Sequence, residues 1–403
     1  MQEFDLAQKA LRDIVKGDIY FNDALKKIFQ TNVELRPLRG AVAGLVGCEL
    51  RHHILFNYLI DELKVETFTE EDRLVISLAL ANLYFFKRFS KEDMEGVLKE
   101  KLGEEKLAAI KPLLEKADKP NEFIPASLEK TSNKYLSLRY NTPEWVLKIW
   151  QHFGYGLTYR VLKANNHQNT ITARVRTSRV TVDEILNNNS DFVKSPVDEV
   201  LIYGGKTPLR KLDAFAKGNL FLERMAVKAM LSEYKIEEPK EAFLYNGNLE
   251  PSLFKEMIEL YQDRVGLNLG CPDLSKYPEI IRLIKESGYK NVNFFGAAPD
   301  SMESAISRPQ DLVIAAPNSS NFDLIREYPD YLMHFKKEGM DALFAQEKAV
   351  LEGASKYVAE KGILIYTINT LSKKEGHMTI TDFLANHPEF HLNKEVQTYP
   401  FED

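Results

Sequence analysis

The hydrophobic period changes twice along this 403-residue chain, so no single layer architecture can accommodate all of it. Over roughly the first 115 residues the apolar positions recur at helical spacing. Phe4 to Lys16 predicts one helix, and Asn22 to Phe29 a second after the turn at Lys16-Gly17-Asp18. Leu38 to Leu63 is a long apolar-rich stretch, where Gly40, Ala41, Ala43, Gly44 and Gly47 would let another helix approach closely. Glu70-Glu71-Asp72 opens a further helix with acid in its first turn, which suits the helix dipole, and another starts at Lys91. Residues 1–118 are therefore expected to form an all-helical bundle.

The polar, proline-containing stretch KADKPNEFIPASLEKTSN breaks this period, and residues 119–133 within it predict a linker. A helical segment follows, with Pro143 to Phe153 at its heart. Then come an alternating strand at Ile171 to Val175, a helix from Val182, and a β-like piece at Val200 to Tyr203 before a Gly204-Gly205 turn. Together these predict a small α+β module over 134–236. Beyond it AFLYN (242–246), VGLNL (265–269), VNFF (292–295), DLVIAA (311–316) and ILIYTI (363–368) are short apolar runs, most of them separated by helical stretches at 251–261, 274–287 and 341–360. Short buried strands alternating with helices predict a doubly wound, Rossmann-like α/β domain over 237–403.

Charge is distributed unevenly over this plan. The whole chain carries −6, yet Thr131 to Val182 holds eight basic residues and one acidic residue, a net of +7 that leaves −13 elsewhere. A basic surface on an acidic protein suits contact with a polyanion at one face. No run of eighteen apolar residues exists, so a membrane span is not expected. The start, MQEFDLAQKALRDIVKG, is an amphipathic helix without a secretory signal's apolar stretch, so the cytoplasm is the expected compartment. Two distant cysteines, Cys48 and Cys271, make neither a disulfide framework nor a cysteine-ligated metal site. Cys48 is expected in the bundle core and Cys271 in the loop after the second strand. His52 and His53 point to different faces of a helix, so no metal is expected there. Tyr84-Phe85-Phe86 reads as core.

A helical bundle, a basic α+β module and a doubly wound domain, in that order, resemble the RsmB/Sun family, which joins a NusB-like RNA-binding domain to a SAM-dependent 16S rRNA cytosine-5 methyltransferase. Arg39 to His53 is similar to the NusB-like helix. NTPEWVLKIWQHFG (141–154), KANN (163–166) and ITARVRT (171–177) resemble the family's P-x-W, A-N-N and R-V-N-T run, with Arg176 where Asn is usual. NSSNFDLIREYPD (318–330) resembles the stretch after the catalytic motif, and DFLANHPEF (382–390) the late helix. The family continues into a final hairpin, so a chain ending at Asp403 is expected to have a short or missing last strand.

The resemblance also implies a chemistry. Methylating carbon 5 of cytosine requires a cysteine thiolate to add at carbon 6, a second cysteine to assist product release, and a bound SAM. The Pro-Cys motif, D-A-P-C-S, corresponds to Ala315-Ala316-Pro317-Asn318-Ser319, and the Thr-Cys motif, Y-A-T-C-S, to Tyr366-Thr367-Ile368-Asn369-Thr370. Both cysteine positions are thus asparagine, Asn318 and Asn369, and the base-contacting Asp is Ala315. The cofactor motif D-x-C-A-A-P-G-G-K aligns with FLYNGNLEPSL (243–253), which puts Tyr245 at the Asp and Glu250-Pro251-Ser252 at Pro-Gly-Gly. The ribose-binding acid becomes Asn268 and the residue near adenine Ala297. A rival register would place LNLGCPDLSK (267–276) in the cofactor motif, and it too lacks the double glycine.

The expectation is a non-catalytic RNA-binding protein on a methyltransferase scaffold, with no bound SAM and with rRNA or a ribosome-assembly intermediate as partner. Arg139, Lys163, Arg174, Arg176, Arg179, Lys206, Arg210 and Lys211 are the candidate RNA contacts. One alternative is an active SAM-dependent methyltransferase with divergent motifs. Another is a protein-interaction module acting through the helical N-terminal domain.

Overall fold

The computed structural model describes all residues except 118, 120–122, 168–169, 235–238, 249–250 and 402–403. They form two compact units, Met1–Gln168 with Asp323–Lys337, and Asn169–Phe322 with Glu338–Asp403.

The first unit is helical: α1 (Gln2–Gly17), α2 (Phe21–Thr31), α3 (Arg39–Leu50), α4 (His53–Glu62), α5 (Glu70–Ala81), α6 (Lys91–Lys116), α7 (Asn133–Tyr140), α8 (Glu144–Trp150) and α9 (Gly154–Asn165). Two starts are fixed by capping boxes, Thr69 with Asp72 at α5 and Ser90 with Asp93 at α6, where side chains satisfy otherwise unpaired backbone N–H groups. Phe4, Leu11, Val42, Leu45, Phe56 and Leu78 are fully buried in the common core, which Leu138 of α7 joins. The Leu38 to Leu63 stretch is two helices separated by a turn at Arg51 and His52. Among its small residues Gly44 makes room for a side chain: a Cβ there would lie 2.5 Å from the Phe86 ring. Tyr84 stacks on Phe123 and His52 on Phe85.

The second unit carries two sheets. The first is antiparallel, with order β2-β3-β1-β4, built from β1 (Ile171–Val175), β2 (Phe192–Lys194), β3 (Val200–Tyr203) and β4 (Leu220–Leu222). Helices α10 (Val182–Asn188), α11 (Asp213–Ala216) and α12 (Met225–Tyr234) accompany it. At three residues each, β2 and β4 are too short to show a period in the sequence.

The second sheet is parallel, with order β7-β6-β5-β8-β9: β5 (Glu241–Asn246), β6 (Gly266–Cys271), β7 (Val292–Gly296), β8 (Gln310–Ala316) and β9 (Val358–Tyr366). Helix α13 (Ser252–Tyr261) connects β5 to β6, and α14 (Pro278–Ser287) connects β6 to β7. After β8 comes the 323–337 segment with α15 (Tyr331–His334), which belongs to the helical unit; α16 (Met340–Ser355) then leads into β9, and α17 (Thr379–Asn386) follows. Ala242, Phe243, Leu244 and Tyr245 are all fully buried, as expected for a central parallel strand covered on both faces. Two expectations are corrected. The helix expected to reach residue 360 ends at Ser355, because Val358 already pairs with Gln310 as the start of β9. Cys271 is not in a loop but is the buried last residue of β6. Among the described residues no strand follows α17, β9 is a sheet edge, and no helix is long and apolar enough to cross a membrane.

Candidate functional site

In an open parallel sheet, ligands sit beyond the carboxyl ends of the strands where strand order reverses, which here is the gap between β5 and β8. Several of the residues implied by the resemblance, Tyr245, Ala297, Ala315, Asn318 and Asn369 among them, lie along this edge. Tyr245, near the end of β5, is fully buried, and its hydroxyl donates to the Ala297 carbonyl after β7 at 2.9 Å, bridging over β6. Beneath this bridge Gly270 is required: a Cβ there would lie 2.9 Å from Phe295 and 3.1 Å from Tyr245. The Tyr277 hydroxyl donates to the Asn248 carbonyl. Gly247 brings the loop after β5 against the loop after β8, with an ideal Cβ only 3.1 Å from the Asn318 nitrogen.

These residues differ from those of the SAM motif that the resemblance implies. At its core position the cofactor's carboxylate partner is a phenol ring, and Pro251 has no N–H to offer. Ser252 is the buried first residue of α13, while Glu250 lies outside the described residues. Asn268 is a further correction: it sits mid-strand, donates to Gln310 at 3.1 Å and accepts from Asn293 at 3.1 Å, so it does not reach the sheet's carboxyl edge. The strand's true end brings up a different acid, the exposed Asp273, whose carboxylate accepts from the Ser275 N–H at 2.9 Å. That side chain was missed in the sequence because the strand was read as ending at Leu269.

On the other side of the switch point, Ala315 is fully buried between Tyr245 and Tyr366 in register. Asn318 accepts from the Asn321 amide at 2.8 Å, and the Asn321 oxygen accepts from Asn248 at 3.1 Å and from the Ser319 hydroxyl at 3.1 Å. The Asn369 N–H donates to Ser319 Oγ at 3.1 Å. The two positions that the resemblance gives to cysteines are therefore joined through Ser319 and Asn321 in a hydrogen-bonded loop pair. Neither free cysteine replaces them. Burial pushes the Cys48 thiol up to about 12 and the Cys271 thiol up to about 11, so both stay protonated at neutral pH.

Behind the loops lies a carboxyl pair that the sequence reading missed. Glu375 is fully buried and accepts from the Ser320 N–H at 2.6 Å, the Ser320 hydroxyl at 2.9 Å and Thr370 at 3.2 Å. Glu347, also fully buried, is pushed up to about 10 by burial and by the neighbouring Glu375 charge. The pair thus holds a proton at neutral pH. A signal was present, since Glu347 shares the inward helical face of α16 with Met340, Val350, Leu351 and Ala354.

The basic candidates separate sharply. Arg174 and Arg176 are corrected as RNA contacts, because both are buried in ion pairs inside their own unit. Arg174, 2% exposed, meets Glu256 at 2.9 Å and Glu199 at 2.7 Å, and Lys228 joins the same two carboxylates at 3.2 and 2.9 Å. Arg176 meets Glu259 at 3.2 Å. Arg179, Lys206, Arg210 and Lys211 are exposed in the same unit, and Arg139 and Lys163 are exposed in the helical unit. The helical unit also holds a cavity of about 330 Å³ lined by Lys26, Phe29, Gln30, Arg36 and Arg39. Its cations come from separate elements, so no local charge run marked it.

No family model matches this chain. Ribosomal RNA small subunit methyltransferase B of Thermus thermophilus is 30% identical over 103 residues, 23% of this chain and 26% of that protein, so the match spans about a quarter of that relative's length. Probable ribosomal RNA small subunit methyltransferase B of Bacillus subtilis is 21% identical over 407 residues, covering 96% of this chain and 89% of its own. Among solved structures, PH0851 superposes with a TM-score of 0.73 at 18% identity, over 100% of this chain and 96% of its own. A methyltransferase homologue from Pyrococcus horikoshii gives 0.53 at 15% identity, over 62% and 81%. The two structures bear on the fold: a helical region followed by an α/β domain with a five-stranded parallel sheet.

Proposed function

We propose that this relative of the RsmB/Sun-type rRNA methyltransferases is a non-catalytic, cytoplasmic RNA-binding protein that keeps the scaffold and has given up methyl transfer. One observation carries the reading: both family cysteine positions are asparagine, with Asn318 engaged by the Asn321 amide at 2.8 Å and Asn369 tied to Ser319 at 3.1 Å. A carboxamide cannot add to carbon 6 of a pyrimidine, so no covalent intermediate forms and carbon 5 stays unactivated. The Tyr245 bridge over β6, where a cofactor would lie, supports the same reading. The relatives' names supply ribosomal RNA as the partner class. Exposed Arg139, Lys163, Arg179, Lys206, Arg210 and Lys211 would hold phosphates, positioning structured RNA without reading sequence.

Calorimetric titration of SAM, beside a relative that retains both cysteines and the double glycine, tests it. This chain should give no heat while binding RNA with an affinity that falls steeply as salt rises. A second reading, an active methyltransferase, is favoured by the exposed Asp273 at the end of β6 and by the relatives' names. Micromolar SAM binding that is lost in Asp273→Ala would restore it.

A further inference from the structure

We propose that the outer face of α9 is a stacking platform for unpaired RNA bases, formed by Tyr155 and Tyr159 and flanked by Lys163 and Arg139. The inference deepens the RNA-binding reading and rests on it. Tyr155, Tyr159 and Lys163 recur every four residues, so they line one stripe of the helix. Tyr155 is 46% exposed and Tyr159 38%. Their rings lie 5.9 Å apart at 29°, close to parallel, while Tyr140 of α7 meets Tyr159 edge-on at 5.9 Å and 89°. Tyr140 is half-buried and braces Tyr159 edge-on.

Two adjacent aromatic rings left in water are costly unless something covers them. The surrounding charge indicates what that is. Residues 145–182 contain no Asp or Glu, and α9 carries only Arg160 and Lys163 as charged side chains. Among the described residues neither Arg139 nor Lys163 has a carboxylate partner within ion-pair distance. Rings for bases beside cations for phosphates suit a single strand, whose bases are free to stack; a duplex hides its base faces. An acidic protein would use the cations but leave the parallel rings without a matching surface.

The full-length chain would be titrated with a short oligoadenylate and with a blunt RNA duplex, for wild type, Tyr155→Ala/Tyr159→Ala, Tyr159→Phe and Lys206→Glu/Lys211→Glu. The double alanine variant should lose about ten- to a hundredfold in oligoadenylate affinity with an unchanged salt slope. Duplex binding should stay within about twofold, since stacking platforms act on unpaired bases. Tyr159→Phe, which keeps the ring, should bind as wild type. Photo-crosslinking of an iodouridine-containing strand should label Tyr155 or Tyr159. Unchanged oligoadenylate affinity in the alanine variant, or equal loss for both probes, overturns the platform while duplex binding by wild type keeps the broader reading alive. If wild type binds neither probe, the RNA reading itself fails, and the tyrosine face is left to a protein partner.

Discussion

Arg174 in β1 and Arg176 just after the strand look like the cations around them in a charge count, and the molecule uses the two groups in opposite ways. Arg174 and Arg176 alternate with Ala173 and Val175, so the extended segment has an ionic face and an apolar face. The apolar face joins a core with Ile185, Leu201 and Leu220, while the ionic face meets Glu256 and Glu259 of α13. Arg179, three residues beyond Arg176, is exposed, and its guanidinium donates to the Lys217 carbonyl at 3.3 Å. A cation's availability for RNA is therefore decided by whether a distant helix brings up a carboxylate, and Glu256 lies 82 residues away.

The comparison is broken most easily at Arg174. Arg174→Ala takes one of two cations from the buried Glu256, leaving Lys228 among the described residues, and should cost about 3 kcal/mol, because a buried carboxylate in a low-dielectric site is then only partly compensated. Urea unfolding followed by circular dichroism measures this. The paired replacement Arg174→Met with Glu256→Leu should recover most of it, since a buried ion pair is often matched by packed apolar groups. Full stability in Arg174→Ala, with RNA binding abolished, would move Arg174 back among the contacts.

Glu347 gives the opposite electrostatic case, a buried acid whose neighbour is another acid. Its folded value of about 10 lies above the ordinary 4.5, so the folded chain keeps a proton that the unfolded chain releases. Stability should therefore fall as pH rises from about 4.5 towards 10, by up to about 1.4 kcal/mol per unit. Glu347→Gln removes the titration without adding a charge, so it should stabilise the protein at mildly alkaline pH and leave it little changed near pH 4.5. Thermal melts across that range check both the sign and the flattening.

These two sites also show what could be read in advance. The parallel sheet was legible because β5 and β8 are runs of consecutive buried apolar residues. Asn318, Asn369 and Tyr245 lie at the sheet's carboxyl edge, since each follows or ends such a run. Asn268 was misplaced, because β6 continues past its apolar run through Gly270 to Cys271 and a glycine gives no strand signal. The ion pairs of Arg174 and Arg176, and the partnership of Glu347 with Glu375, join residues from different elements; no local pattern encodes them. The α9 tyrosines were passed over for a related reason: at helical spacing an aromatic stripe reads as core, and only exposure distinguishes the two.

The outer cations sharpen the comparison on the binding side. Lys206→Glu, Arg210→Glu and Lys211→Glu together should leave the fold intact, as all three are exposed. If each holds one phosphate, the slope of log affinity against log salt should become shallower by about 2–3. An unchanged slope would place the phosphates elsewhere, with the Lys26, Arg36 and Arg39 cavity the first alternative to mutate.

The smallest expected effect on stability is the most direct contrast with Arg174. Arg179→Ala removes one exposed guanidinium and its hydrogen bond to the Lys217 carbonyl, a group that water can satisfy instead. Unfolding free energy should change by less than about 0.5 kcal/mol, while RNA affinity falls modestly and the salt slope drops by about one contact. Two arginines five residues apart would then differ several-fold in their effect on folding, one acting through a carboxylate on α13 and the other through solvent. A destabilisation at Arg179 comparable with that at Arg174 would mean that burial does not separate them, and that the basic segment acts as one structural cluster.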